Sequence, residues 1–408
     1  MKFLKLRGIL TIGLISFCKL YSLNIFNVND TVRLVEDTRF HFISVEHLLK
    51  KNPYISYQKL LDSYHFRFQQ FPGSLWPNEQ PYDGTLAELF TLIIPDGKVL
   101  SDNGFVIVDD KYVLRELTPT SFKFHHYVNH ILTTDFGNVR KIPGRVAVLT
   151  KLHAQCYAHW LMEVLGRLAI LEALGIDFDW LYVSYDKVQD GKNFIKETLA
   201  AWGIDHQKII DPSGSFHYIQ ADELIVPSLP NRHVPTAGKS FVQGTSLCAA
   251  FCHPWVVEYL RNKFLSLVQD YTPQNHLAKR IYISRRDAIN SRNFDNEQEL
   301  VETLKMYDFE VYELTKLPFL DQVKLFSQAE IVIGPHGSGM TNIMFCSKTA
   351  QVIELFMARQ DLVNYNIAQV LGLNYTPIKT AEFDFFGHYN TRISLESISE
   401  IVNTLDLE

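Results

Sequence analysis

The stretch IVIGPHGSGMTN, residues 331–342, decides the expected fold. Its apolar start is typical of a buried strand, and the glycine-rich turn after it leads directly into the start of a helix. Glycines let the backbone approach a ligand closely, and free N–H groups at a helix start attract a phosphate or carboxylate. The spacing fits neither GxGxxG nor a P-loop. The turn is therefore either an anion site, to which His336 adds a donor, or a structural turn capped by Ser338 or Thr341.

Strand-like apolar runs alternate with amphipathic helical patterns on both sides of this turn. The alternation covers residues 146–226 and resumes over 280–378, and the Pro- and Gly-bearing segment 227–252 separates the two series. Such alternation predicts an α/β fold with parallel sheets covered on both faces. Ligands of these sheets bind beyond the carboxyl ends of the strands, so functional residues are expected there.

The domain organisation follows from the same patterns. Two Rossmann-like units are expected after an N-terminal extension that has no clear periodicity. The predicted boundaries are a signal-like or anchor segment (1–23), an irregular N-terminal region (24–145), a first Rossmann-like domain (146–252), a second Rossmann-like domain (253–391) and a C-terminal helix (392–408).

Composition and charge exclude several classes of protein. The 408 residues are 47% hydrophobic and 21% charged, which is typical of globular chains and not of disordered ones. The formal net charge of −6, with no block of like charges, argues against nucleic acid as a partner. Five cysteines, an odd number in a long chain, do not form a disulfide framework.

The N-terminus has the pattern of a targeting segment. Lys2, Lys5 and Arg7 precede an apolar run over residues 8–17 that is too short to span a bilayer. We interpret it as a secretory signal, with an uncleaved interfacial anchor as the alternative. A location in the secretory pathway, or peripheral association with a membrane through the N-terminus, is the expectation.

A second anion-suited stretch is YISRRDAINSR, residues 282–292. Arg285 and Arg286 directly follow a predicted buried strand, and Arg292 lies in the loop after them. A guanidinium presents a planar fork of donors that suits a phosphate. Alternatively, these arginines only pair with Asp287 or Asp295 in a surface loop.

A third stretch, CYAHWLMEVLGRL at residues 156–168, predicts a helix with ionisable groups on one face. His159, Glu163 and Arg167 follow one another at intervals of four residues. If this face meets a cleft, His159 or Glu163 is a candidate general base. If it meets water, it is a solvated edge with a Glu163–Arg167 ion pair.

Two further acidic features stand near predicted strands. Glu354 lies near the end of the strand 351–355, where acidic residues commonly hold ribose hydroxyls. Asp177 and Asp179 form a DxD pair, but they precede a strand, so a helix-to-strand loop is favoured over a metal site.

Three of these stretches together resemble glycosyltransferase family 61, a family of inverting transferases. It includes protein O-linked N-acetylglucosaminyltransferases, plant xylan transferases and bacterial proteins of capsular polysaccharide biosynthesis. The resemblance runs from about residue 146 to residue 378. It is carried, in this order, by YAHWLMEVLGRL, YISRRDAINSR, GPHGSGMTN and VIELF.

The resemblance implies a GT-B-like architecture, in which two Rossmann-like domains face a cleft. It also implies a nucleotide-sugar co-substrate, with a UDP-sugar expected, a glycan or glycoprotein acceptor, and neither a required metal nor another cofactor. His159 and Glu163 fall on the family's HWxxE-like helix and are the candidate bases. The residues expected to bind the donor are Arg285, Arg286, Arg292, His336, Gly337, Ser338, Gly339, Thr341, Asn342 and Glu354.

Two other functions stay open at this point. One is a catalytically inactive glycan- or nucleotide-binding module that keeps the same fold. The other is a dinucleotide-dependent oxidoreductase, which is disfavoured because no GxGxxG follows a predicted strand. In the favoured hypothesis, Arg285 and the 334–341 turn stabilise the leaving diphosphate.

Overall fold

A computed structural model of the chain describes residues 41–68, 82–117, 138–151, 153–185, 193–234, 251–274, 276–288, 293–357, 362–380 and 392–405. The targeting segment predicted at residues 1–23 lies outside these ranges. Within them, no helix combines the length and the apolar character that crossing a membrane requires.

The first part of the chain is rich in strands. In chain order they are β1 (His41–Ile43), β2 (Ser56–Leu61), β3 (Tyr64–Phe68), β4 (Tyr82–Leu86), β5 (Leu89–Pro95), β6 (Lys98–Leu100), β7 (Phe105–Val108), β8 (Tyr112–Leu114), β9 (Arg140–Val148), β10 (Trp180–Tyr182), β11 (Ile209–Ile210) and β12 (Tyr218–Pro227). All but β3 and β4 form one mixed sheet in the order β1-β8-β7-β6-β12-β9-β10-β11, with β5 beside β12 and β2 beside β5. β3 and β4 form a separate antiparallel hairpin.

The second part forms a wholly parallel sheet. Its strands are β13 (Arg280–Ser284), β14 (Glu310–Glu313), β15 (Ile331–Pro335), β16 (Gln351–Phe356) and β17 (Asn374–Lys379). They lie in the order β14-β13-β15-β16-β17. These strands and the parallel sheet were predicted, and the α/β class is confirmed.

Eight helical elements connect or cover the strands of the described residues. They are α1 (Val45–Lys51), α2 (residues 157–173), α3 (Phe194–Trp202), α4 (Pro254–Leu267), α5 (Glu297–Lys305), α6 (Phe319–Gln328), α7 (Val363–Leu371) and α8 (Leu395–Thr404). A 3₁₀ helix, Ser338–Phe345, follows β15. It replaces the short α-helix predicted there and begins immediately after the glycine turn.

The prediction of an irregular region at residues 24–145 is wrong for the described part. Residues 41–68 and 82–117 supply strands to the large sheet, and the predicted boundary at residue 145 falls inside β9. β12 explains the difference, because it pairs antiparallel with β5 and β6 and parallel with β9. The partner that orders β5 and β6 thus lies more than a hundred residues away, beyond the reach of a local pattern.

One hydrophobic core connects the two sheets. It includes residues that face the first sheet, such as Leu181, and residues of the second, such as Ile281. Helix α4 packs against α2, α6 and α7. The ring of Phe264 in α4 contacts Trp202 of the first half and Phe319 of the second, at centroid distances of 5.7 and 4.8 Å.

Each half has a point where the strand order reverses. In the second sheet the chain passes from β13 outward to β14 and returns to place β15 on the other side of β13. In the first sheet it runs from β9 to β10 and β11, and β12 then lies on the other side of β9. The carboxyl ends of strands at such points form the crevice where open α/β sheets bind ligands.

Candidate functional site

The crevice of the second sheet lies between the carboxyl ends of β13 and β15. Arg285 follows β13 and Gly337 follows β15 by two residues. A Cβ placed on Gly337 would lie 1.7 Å from Nη1 of Arg285. Only glycine therefore lets the guanidinium rest against this turn. The two stretches that the sequence singled out as anion-suited are in direct contact.

His336 lies beside Gly337 and is held by a buried carboxylate. Its Nδ1 is 2.8 Å from Oε1 of Glu354, and its ring stacks on Phe356 at a centroid distance of 5.0 Å. The side chain of His336 is 11% exposed and that of Glu354 is 0% exposed. We call Arg285, His336, Gly337 and Glu354 the C-terminal cluster.

Glu354 is placed differently from a ribose-binding residue. Its carboxylate accepts hydrogen bonds from Asn364 Nδ2 at 2.6 Å and from the hydroxyl of Tyr375, in addition to the contact with His336. With its side chain fully buried and three partners engaged, it orients His336 and is not open to a ligand in this arrangement.

The remaining residues of the turn connect it to the protein interior. Thr341 Oγ1 donates to Asn364 Oδ1 at 3.4 Å, and Asn342 Nδ2 donates to Gln322 Oε1 at 2.9 Å. Both Thr341 and Asn342 are fully buried. Gly339 packs against the side chain of Leu314, which a Cβ at position 339 would approach to 2.9 Å. These residues hold the shape of the turn.

Arg286 contacts a residue outside this cluster. Nε of Arg286 pairs with Glu297 at 2.6 Å, and its side chain is 51% exposed. The expected partners Asp287 and Asp295 are not those that Arg286 uses. Asp287 instead accepts hydrogen bonds from the backbone and hydroxyl of Thr315, at 3.0 and 2.7 Å. Arg292 lies outside the described residues.

Helix α2 carries a second group of ionisable side chains. It begins as an α-helix at Tyr157–His159, widens to a π-helix over Trp160–Leu165 and returns to an α-helix at Gly166–Ala173. Such π segments are rare and are frequently found at functional sites. The widened turn falls between His159 and Arg167 and alters the regular spacing predicted for this face.

The Glu163 side chain, in the π segment, is buried and contacts two basic side chains. Its two carboxylate oxygens contact Lys151 Nζ and His159 Nδ1, and Lys151 Nζ is 3.4 Å from the same His159 nitrogen. The side chains of Lys151 and Glu163 are 7% and 5% exposed, whereas that of His159 is 32% exposed. With His153, whose ring stacks on His159 at 5.9 Å, these residues form the N-terminal cluster.

Arg167 does not pair with Glu163, and the helix face is not a solvated edge. The Arg167 side chain is buried and donates through Nε and Nη2 to the carbonyl of Pro227 at 3.0 and 2.9 Å. Nη1 donates to the carbonyls of Thr150 and Leu149 at 3.1 and 3.4 Å. The guanidinium thus fills the crevice between the ends of β9 and β12, where a ligand would otherwise bind.

The segments that carry the two clusters contact each other where α2 begins. Cys156 Sγ lies 3.3 Å from Ser338 Oγ, and the hydroxyl of Tyr157 donates to Asn342 Oδ1 at 2.6 Å. His159 lies one turn further along the same helix. The structure brings together the helix and the turn that the sequence singled out separately.

Comparison with known sequences is consistent with this geometry. The family model described as Glycosyltransferase 61 matches residues 157–353, which include α2 and both strand ends of the C-terminal cluster. Over residues 157–353 the chain is similar to glycosyltransferase family 61. The resemblance stated from the sequence motifs is thereby confirmed.

Individual relatives of the family 61 region align over shorter stretches. The EGF domain-specific O-linked N-acetylglucosamine transferase of Mus musculus is 35% identical over 89 residues, which cover 21% of this chain and 17% of that protein. Its namesake in Drosophila melanogaster is 30% identical over 108 residues, covering 26% and 20% of the two chains. The aligned part thus spans a fifth or less of the length of these relatives.

The DxD pair has a structural role. Asp179 Oδ2 accepts the backbone N–H of Arg145 at 2.8 Å, and the carbonyl of Asp177 accepts Nη1 of Arg145 at 2.6 Å. This is the helix-to-strand loop that the sequence favoured. Among the described residues, no group of three or more His, Cys, Asp or Glu side chains is arranged to hold a metal ion.

Lys151 and His153 are members of the site that the sequence reasoning missed. They lie three and five residues after the end of β9, whereas Arg285 directly follows β13. The strand-end rule that selected Arg285 could have selected Lys151 as well. His153 has φ = 64°, a left-handed conformation that costs energy in a residue other than glycine and often occurs at functional sites.

The pKa of Glu163 leads to a prediction about acid stability. Burial alone would raise this pKa, but the charges and hydrogen bonds of Lys151 and His159 outweigh burial and lower it to about 2. Because the folded-state pKa is below the ordinary value of 4.5, the stabilisation is complete above that value and is lost as pH falls toward 2. We expect Glu163→Gln to weaken the fall of unfolding free energy with acidification, measured by urea unfolding between about pH 5 and pH 3.

The matched control is Glu302→Gln on the exposed side of α5. It should leave the wild-type pH dependence in place. Equal pH dependence in Glu163→Gln and wild type would show that the ion pair does not stabilise the folded state.

Proposed function

We propose that the protein is an inverting glycosyltransferase with a GT-B-like arrangement, which moves a sugar from a nucleotide-sugar to a hydroxyl of a glycan or protein. The observation that carries the proposal is the contact between the start of α2, the helix that bears His159 and Glu163, and the segment that follows Gly337, through Cys156 with Ser338 and Tyr157 with Asn342. It joins an anion-suited crevice to a histidine held by a carboxylate. Inverting transfer in a single displacement needs both, one for the leaving group and one for the attacking hydroxyl.

In this proposal the C-terminal cluster binds the diphosphate of the donor. Arg285 packs on the Gly337 turn at the point where the strand order reverses, so its guanidinium and the turn's backbone can address the same phosphate. His336 adds a ring donor whose orientation Glu354 fixes. Fixed donors of this kind stabilise charge that develops on the leaving diphosphate, and we propose that they act without a required metal.

His159 is the better candidate for the general base. Glu163 is buried and its pKa is lowered to about 2, so it is a weak proton acceptor near neutral pH. His159 is partly exposed, and its Nδ1 is bonded to the Glu163 carboxylate. This leaves Nε2 as the nitrogen that can accept a proton, as in other histidines that a carboxylate orients.

The substrates are proposed from the relatives' names. Relatives of the region are named EGF domain-specific O-linked N-acetylglucosamine transferases. We therefore propose a UDP-sugar as donor, with UDP-N-acetylglucosamine tested first, and a glycan or a glycoprotein as acceptor. Through its N-terminal segment the protein would work in a secretory compartment or at a membrane surface.

The first experiment is a thermal-shift screen of the purified chain against UDP, GDP, CMP and their sugar conjugates, with EDTA and with manganese. A ligand that binds only the native state stabilises it by about 2.7 kcal/mol at a hundredfold excess over Kd. We expect a shift with one nucleotide class that survives EDTA, followed by sugar transfer to an acceptor. Binding without transfer or donor hydrolysis would instead favour the inactive binding module.

Arg285→Ala should weaken nucleotide binding and lower turnover together. Loss of a charge-assisted contact to a phosphate costs about 1.5–3 kcal/mol, which corresponds to roughly a tenfold to hundredfold increase in Kd. Isothermal titration with the nucleotide found in the screen measures it. The control is Arg280→Ala, at the opposite end of the same strand, where Nη1 donates to the carbonyl of Tyr307 at 3.0 Å. Wild-type affinity in Arg285→Ala would contradict the phosphate role.

A further inference from the structure

The two clusters contain the same pair of side chains with different partners. In each, a buried glutamate holds Nδ1 of a partly exposed histidine: Glu163 holds His159, and Glu354 holds His336. The third partner differs. Glu163 also contacts the ammonium group of Lys151. Among the described residues, the other donors to Glu354 besides the histidine are neutral, from Asn364 and Tyr375.

This difference decides where the positive charge lies. A carboxylate removed from water is costly unless a cation compensates it. Lys151 Nζ is itself buried and bonded to Glu163, so it supplies that charge without His159. Among the hydrogen-bond partners that the described residues provide to Glu354, only His336 can carry a positive charge. It then lies near Arg285, which packs on the adjacent Gly337.

We infer that Lys151 is a positioning residue that neutralises Glu163 and thereby keeps the ring of His159 uncharged and able to accept a proton. The inference rests on the proposed function. In the proposed step the acceptor hydroxyl gives its proton to His159 Nε2, its oxygen forms a bond to the anomeric carbon, and the bond from that carbon to the diphosphate breaks. The electron pair of that bond leaves with the diphosphate. A His159 that already carried a proton could not begin this step.

The ionisable groups that face His159 come from two elements. Lys151 and His153 come from the loop after β9, and Glu163 comes from α2. The pKa of His153 is lowered by its burial and then by His159 and Lys151, so His153 adds no lasting positive charge. The Ser338–Phe345 segment, which packs against the start of α2, contains no titratable side chain.

The test is Lys151→Met, which removes the charge and keeps the length of the side chain. The first measurement is an NMR titration of the His159 ring, which requires neither donor nor acceptor. In the variant the ring should keep its proton to a pH higher by on the order of one unit, because Lys151 no longer compensates the charge of Glu163. The acid limb of the transfer rate should move in the same direction.

Three further variants separate this role from a structural one. Lys151→Arg keeps the charge and should titrate as wild type. Lys151→Met combined with Glu163→Gln removes both charges and should restore a nearly wild-type titration. Lys263→Met breaks a partly exposed ion pair with Glu172, at 2.7 Å, and should change neither measurement.

An unchanged His159 titration in Lys151→Met would overturn the inference. If that variant does not fold, Glu163→Gln is compared with the double variant. The ring should lose its proton at lower pH where Lys151 remains, and equal titrations would overturn the inference. The variants can show the predicted differences in His159 titration while the wild-type protein transfers no sugar. This result would overturn the proposed function and support the charge assignment.

Discussion

Arg167→Met should lower the free energy of unfolding by about 3 kcal/mol, because it leaves buried backbone carbonyls without donors. The guanidinium donates hydrogen bonds to the carbonyls of Pro227, Thr150 and Leu149, at the ends of the two central strands of the first sheet. Burial lowers the pKa of Arg167 to about 9, so the group remains charged near neutral pH. Methionine keeps much of the packing volume and removes the donors.

Urea unfolding followed by tryptophan fluorescence measures this loss. The matched control is Arg145→Met, which removes an arginine that is 34% exposed and pairs with Glu223 at 2.8 Å. Exposed pairs of this kind contribute about 1 kcal/mol or less. Equal losses in the two variants would show that the buried carbonyls do not depend on Arg167.

His159→Gln should reduce kcat by roughly 10²- to 10⁴-fold, the contribution expected of a positioned general base. The Kd of the nucleotide should remain that of the wild type, since the C-terminal cluster is left intact. Transfer of a labelled sugar measures kcat, and calorimetry measures the Kd. A variant that only loosens the fold should instead lower kcat and weaken nucleotide binding together.

The control is His206→Gln, which changes a histidine whose side chain is 73% exposed and far along the chain from the site. It should leave both constants unchanged. Turnover in His159→Gln within a fewfold of the wild type would show that His159 is not the general base. Another residue of the N-terminal cluster would then be the candidate.

The contact between Arg285 and the glycine turn could be predicted from the sequence. Both features lie just after apolar strand runs, and the ends of parallel strands meet at one edge of a sheet. The same rule selects Lys151 as a candidate. It was missed because a single lysine after β9 forms part of no recognisable motif. Position just after a strand therefore predicted the site residues better than residue type did.

Burial could not be predicted in the same way. The roles of Glu354 and Arg167 depend on Tyr375, Asn364 and Pro227, which come from distant segments. A pattern of four-residue spacing shows which side chains share a helix face, and it does not show what covers that face. The π segment at Trp160–Leu165 also changed the spacing itself.

Helix α4 has a consequence for how this protein can be divided or recombined. Phe264 fits between Trp202 on one side and Phe319 on the other, so a cut near residue 252 would uncover aromatic surface on both fragments. Neither fragment would be an independent module. Exchanging one sheet for that of a related protein would require redesigning both faces that α4 covers.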